Sequence, residues 1–239
     1  MPWKGNERFA KPWNNTRWKV VQKCTAIIQG PFQRLPHPFM APPKDGTSPR
    51  SRLIAGMAKV LEQRALSELY ADDVVREAGV SKRTFYQHFG NKEDCFLALY
   101  RENSARVLQV LSEASSTPGL SALERIQHGA KAYLAFMQSQ SALMKRLYID
   151  ILYLGTDGMK AKREVLQQFA DVLLAAYDAE RAAAPTLPPL DPDLVMAIVA
   201  GINELILFKI EDGQADRLSD LESVSQQLML GQLLLGQSR

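Results

Sequence analysis

Gly79-Val80-Ser81-Lys82-Arg83-Thr84-Phe85-Tyr86-Gln87-His88-Phe89-Gly90-Asn91-Lys92 places a tight corner, a short helix and a second helix start within 14 residues. Gly79 supplies the positive φ, or the close approach, that such a corner needs. Ser81 is placed to cap the helix that follows, its hydroxyl accepting from a free amide of the first turn. Val80 before the cap and Phe85 after it match a hydrophobic staple. Phe85 and Phe89 lie at i, i+4 and share one helix face, so they anchor the helix to a small core. Lys82, Arg83, Thr84, Tyr86 and His88 are left off that face. Side chains of these types at a helix N-terminus reach base edges and phosphates, and the helix dipole adds attraction for anions. Asn91 then caps a further helix, with Lys92 in its first turn, again suited to a phosphate.

Upstream, Leu53, Ile54, Met57 and Leu61 recur at helical spacing within 50–64, and Val74, Val75 and Ala78 do so before the corner. Three helices in about 40 residues, the third basic and aromatic, make a three-helix DNA-binding unit. The elements Ala78-Gly79-Val80-Ser81, Thr84-Phe85-Tyr86-Gln87-His88-Phe89 and Lys92-Glu93 closely resemble the signature of the TetR (AcrR-type) family of bacterial transcription regulators. The resemblance covers about 50 residues; the rest agrees in length and helical character. Two positions depart from the pattern. Tyr70 stands where the family has a Thr cap for the second helix, and Arg83 stands where a small residue is usual. The residues themselves nominate Lys82, Arg83 and Thr84 for base readout and Tyr86, His88 and Lys92 for phosphates. A solvated lysine or a histidine packed on Phe89 is the plainer alternative for Lys92 and His88.

The chain has 239 residues, 46% of them hydrophobic, enough for a sizeable core in one large or two small domains. Its net charge of +3 is unevenly placed. Residues 1–49 hold eight Lys/Arg against two Asp/Glu, whereas 101–239 hold 13 against 17. The positive end lies on and before the DNA-binding unit, and the C-terminal part repels nucleic acid. Residues 1–49 also contain Trp3, Trp13 and Trp18 and a Pro-rich stretch, with a short amphipathic helix conceivable over 15–29. They read either as a flexible basic extension or as an arm in which Lys44, with Arg50 and Arg52 just beyond, reaches a minor groove or flanking phosphates. Cys24 and Cys95, far apart, read as free thiols in a reducing cytoplasm. No apolar run long enough to span a membrane occurs, and no leader is indicated.

After Asn91 the spacing predicts helices over 92–112, from a Ser121/Glu124 capping box onward, over 141–153, over 158–183 after a Gly155–Gly158 break, over 191–211 from an Asp-Pro-Asp start, and from a Ser219/Glu222 capping box to 235. No convincing strand appears. The expected class is all-α: an extension over 1–49, a helix-turn-helix DNA-binding domain over 50–96, and a helical effector-binding and dimerisation domain over 97–239. The last two helices are apolar nearly all round, so a second subunit is a natural cover. The resemblance implies a homodimer through a four-helix bundle, here Ile198, Ile202, Leu205, Leu221, Val224 and Leu228. It also implies an effector pocket among the central helices, for which Tyr133, Phe136, Met137, Met144, Leu147, Tyr148, Ile151, Phe169, Leu173 and Tyr177 are candidates, each as readily a plain core residue. Their Met/Tyr mixture points to an apolar effector.

No phosphate loop, nucleophile elbow, HExxH or CxxC pair occurs, and His37, His88 and His128 are too scattered for a metal site, so neither an enzyme nor a cofactor or metal is expected. The expected function is a cytoplasmic, sequence-specific DNA-binding regulator acting on a roughly palindromic operator in double-stranded DNA. As a repressor, it would be released by a small apolar ligand. The alternative is a DNA-binding structural factor of the same fold controlled by a protein partner.

Overall fold

A computed structural model describes residues 48–235 apart from 118, 121, 184 and 186–188. The expectations for the helix over 15–29, for Lys44 and Cys24, and for Ser121 as a cap fall outside the described residues. Helix α1 (Pro49–Leu61) opens on Ser48, whose Oγ accepts from Ser51 N at 3.1 Å, with Pro49 in the first turn where its missing N–H costs nothing. It buries Leu53, Ile54, Met57 and Leu61. A 3-10 turn (Leu66–Glu68) leads to α2 (Ala71–Ala78), which crosses α1 closely at Gly56. A Cβ there would stand 3.1 Å from both Ala78 Cβ and Val74 O.

Tyr70 gives α2 no side-chain cap; instead Asp73 reaches back and accepts from Tyr70 N at 3.0 Å. The departure at position 70 is thus met by the carboxylate three residues on. Gly79 ends α2 at φ 61°, a left-handed closure in which Val80 N bonds Val75 O at 3.1 Å.

Helix α3 (Lys82–His88) is followed by α4 (Lys92–Ser115), which runs out of the DNA-binding unit into the second part of the chain. There α5 (Ala122–Ser139) packs on α4, and α6 (Ser141–Tyr153) touches α1 and the Leu66–Glu68 turn. Helix α7 (Gly155–Ala183) packs on α8 (Pro192–Glu211), and a 3-10 segment (Ala215–Leu221) leads to α9 (Glu222–Leu235). All described regular elements are helical. Most of the buried apolar side chains form one continuous cluster reaching from Leu53 to Leu221.

Two helix boundaries differ from those read in the sequence. The expected break over 155–158 is almost closed: only Leu154 separates α6 from α7, Gly155 turns the chain at φ 56°, and Gly158 is already helical. A Cβ at Gly158 would collide with the Ile151 carbonyl oxygen, so this glycine serves helix-to-helix contact and not a loop. Ser219 does not cap α9; it sits inside the 3-10 segment, and α9 begins at Glu222. The Asp191 cap is as expected, its carboxylate accepting from Asp193 N at 2.8 Å.

Candidate nucleic-acid interface and effector cavity

The recognition helix α3 is held from behind. Phe85 is fully buried and Phe89 nearly so, with ring centroids 5.9 Å apart. Ser81 Oγ accepts from Thr84 N at 3.0 Å and shares a hydrogen bond with the Thr84 hydroxyl. Lys82, Arg83, Tyr86, Gln87 and His88 are exposed, and Thr84 half-buried. Lys82 is drawn to Asp72 of α2 at 2.8 Å, which raises its pKa. Arg83 has no ion pair among the described residues, so it is the free cation at the start of this helix.

The other basic residues named from the sequence lie in different settings. Lys92, expected at a phosphate, donates its ammonium to the carbonyls of Leu66 (2.9 Å) and Leu69 (2.6 Å). Those carbonyls belong to the turn between α1 and α2, so Lys92 clasps that turn to the start of α4. Arg52 donates to the Gly79 carbonyl at 2.6 Å, satisfying the acceptor at the corner. Arg50 pairs with Glu102 of α4 and lies over the Phe89 ring. Asp73, mostly buried, joins Arg64 (2.9 Å) and Arg76 across the same corner. The Tyr70 amide and Arg64 hold its carboxyl below the ordinary carboxylate value. Cys95 is buried and unpaired; burial pushes its thiol up to about 12, so it carries no thiolate at neutral pH.

In the second part of the chain, a cavity of about 80 Å³ lies among α4 to α9. Of the candidates named from the sequence, Tyr133, Met137, Met144, Leu147, Tyr148 and Phe169 line it, whereas Phe136, Ile151, Leu173 and Tyr177 do not. Ile151 is core packing, 1% exposed. The wall also includes Tyr100, Asn103 and Ser104 of α4, Asn203 of α8, and Ser225 and Met229 of α9. These were missed because each reads locally as an ordinary helix position, and only the packing of distant helices brings them together. Asn203 Nδ2 donates to Tyr148 Oη at 3.0 Å, and Tyr133 lies on the same wall. Burial raises the pKa of both phenols. No Lys, Arg, His, Asp or Glu is among the lining residues.

The residues expected at a dimer interface differ in how far their own chain covers them. Ile198, Ile202 and Leu221 are 6–7% exposed within the single chain, and Ile202 lines the cavity. Leu205, Val224 and Leu228 pack against the chain's own core. The 3.6-residue period turns Ile198 and Ile202 inward and leaves Leu205, Val224 and Leu228 half-buried, and the outward side of α8 also carries Ala197 and Phe208, the latter 54% exposed. A Cβ at Gly201 on this helix would meet open space.

Residues 53–99 match the family described as bacterial regulatory proteins, tetR family. This stretch, from the buried face of α1 into α4, carries the DNA-binding domain of that family. The HTH-type transcriptional regulator EthR of Mycolicibacterium smegmatis is 26% identical over 156 residues, 61% of this chain and 68% of the relative. The fatty acid degradation regulator FadR of Bacillus halodurans shares the fold at TM-score 0.67 and 18% identity, over 80% of this chain and 98% of its own. FadR of Bacillus subtilis, solved in complex with stearoyl-CoA, shares it at TM-score 0.65 and 16% identity, over 76% and 98%. The described residues are therefore all-helical, share the fold of these regulators, and carry a tetR-type helix-turn-helix unit over 53–99. Among the described residues, no helix is long and apolar enough to cross a membrane, and no cluster of His, Cys, Asp or Glu could hold a metal ion.

Proposed function

We propose that the chain is a cytoplasmic repressor that reads a roughly palindromic operator as a homodimer and leaves it when a small molecule enters the cavity. The observation that carries the DNA-reading part is the contrast on α3. Phe85 and Phe89 are locked behind it, whereas Arg83 faces out without an ion pair. Phosphate contacts from Tyr86 and His88 position the helix, and Lys82, Arg83 and Thr84 supply selectivity. Lys92, Arg52 and Arg50 brace the unit, holding the turn, the corner and the start of α4.

Dimerisation is assigned to the outward sides of α8 and α9. Ala197 and Gly201 let a partner helix approach closely, and Phe208 offers apolar area. The switching path is physical. Helix α6 contributes Met144, Leu147 and Tyr148 to the cavity, and its Asp150 accepts from Leu66 N at 2.9 Å. Helix α4 contributes Tyr100 and Asn103 to the cavity, and its Lys92 holds the carbonyls of Leu66 and Leu69. Both walls therefore grip one turn of the DNA-binding unit, and a ligand that shifts either wall biases that turn.

An open cavity with polar groups supports a small-molecule effector over control by a protein partner alone, for which a closed core would serve. The stearoyl-CoA of the Bacillus subtilis neighbour is not carried over: 80 Å³ is too small for it, and the lining offers no cation to its phosphates.

The test is direct. DNA fragments retained by the purified chain define the operator, and binding of Arg83→Ala to it is then measured. The substitution is expected to cost about 1–3 kcal/mol and to relax preference at one base pair. Unchanged affinity and preference would remove Arg83 from the reading helix's contacts.

A further inference from the structure

We infer that the cavity takes a compact, uncharged molecule with an apolar body and a hydrogen-bond acceptor of the carbonyl kind, and excludes carboxylates and phosphates. This rests on the effector reading above and names the ligand class of the same site. Ser225 lines the cavity at 2% exposure, and its Oγ has no hydrogen-bond partner among the described residues. A buried hydroxyl left this way carries a desolvation penalty that an incoming acceptor would relieve. Asn103, 8% exposed, donates to the Met144 sulfur at 3.6 Å, a weak acceptor that an oxygen would outcompete.

The tyrosine pair points the same way. Asn203 donates to Tyr148 at 3.0 Å, and Tyr133 adds a second phenol hydroxyl on the same wall. Two hydroxyl donors and an amide donor therefore border one apolar space, which selects a ligand oxygen that accepts.

Charge is excluded for a separate reason. An anion in this space would have no cation to pair with, since none lines it. Lys162 is held at 2.7 Å by Glu204, next to Asn203 in the chain. An unpaired buried carboxylate is far costlier than a neutral carbonyl. Size limits the ligand as well. A dry engineered cavity of about 150 Å³ accepts benzene, and this one is roughly half that, so the ligand is small or only its head enters here.

The experiment titrates the full chain by NMR with cyclopentanone, cyclopentane and cyclopentanecarboxylate, and repeats each titration with Ser225→Ala and Tyr133→Phe. Cyclopentanone is expected to bind about 3- to 10-fold more tightly than cyclopentane, and the carboxylate not to saturate. Each variant should lose most of the ketone's advantage while keeping the wild-type affinity for cyclopentane, which also reports an intact fold. Equal binding of ketone and hydrocarbon, or carboxylate binding as tight as the ketone, would overturn this inference and leave the effector reading standing. If none of the three binds and none alters operator affinity, both fall.

Discussion

The corner between α2 and α3 and the wall of the cavity treat their polar groups in opposite ways. At the corner, Asp73 is shared by the Tyr70 amide, Arg64 and Arg76, Arg52 meets the Gly79 carbonyl, and Lys92 meets two more carbonyls. Around the cavity, among the described residues, Ser225 has no partner and Asn103 has only a thioether. The first region is internally complete, so its outward side chains are presented in one geometry. The second is incomplete, so its cheapest arrangement depends on what is inside it. A regulator uses both: a fixed reader, and a sensor whose packing an occupant changes.

The strongest way to break this contrast is to empty the back of the reader. Phe85→Ala removes a fully buried ring and should cost about 3–5 kcal/mol in urea unfolding, with loss of operator binding. A midpoint equal to the wild type would mean that α3 is not held from behind. A smaller change sharpens the boundary between the regions. Asp150→Ala strands the Leu66 amide in a buried setting and should cost about 1–3 kcal/mol by the same measurement, whereas Asp150→Asn keeps an acceptor there and should cost less. Equal loss from both would show that the carboxylate's charge, and not its hydrogen bond, matters at this joint.

The smallest effect is in pH, and the two aspartates carry opposite signs. Burial raises the Asp150 carboxyl above the ordinary value, so the fold is penalised once it ionises, and stability falls as pH rises through that raised value. Hydrogen bonds lower that of Asp73, so its contribution is present above the ordinary carboxylate range and is lost as pH falls through the lowered value. Unfolding measured from neutral to acid pH should therefore find the deficit of Asp73→Asn shrinking toward acid. The standing of Asp150→Asn relative to wild type should improve toward neutral. Parallel curves for either variant against wild type would dismiss the corresponding aspartate.

The sequence shows the reader better than the sensor, for a reason of distance along the chain. Ser81, Phe85, Phe89, Asn91 and Asp191 act on residues within a turn or so, and local spacing carries that information. Lys92 answers to carbonyls 26 and 23 residues earlier, and Asp150 to an amide 84 residues away. No periodicity within a helix records such partners. The apolar stripe of α8 was legible as buried, but whether its own chain or a second one covers Ile198 and Ile202 depends on how α7 and α9 pack beside it. Ser225 and Asn203 drew no notice because a lone Ser or Asn in a helix is ordinary until its surroundings are known.

Helix α4 has 24 residues and is therefore about 36 Å long. Lys92 fastens its first turn to the reader, and Tyr100 to Leu111 carry its middle past the cavity. The helix is thus a lever. A rotation of about 5° over that length displaces one end by about 3 Å relative to the other. Hydrogen bonds to base edges survive displacements of only a few tenths of an ångström. Under the proposed function the mechanical advantage would lie with the effector: a molecule of a few heavy atoms, shifting one wall by less than the width of an atom, would move the far end further than any base contact can follow.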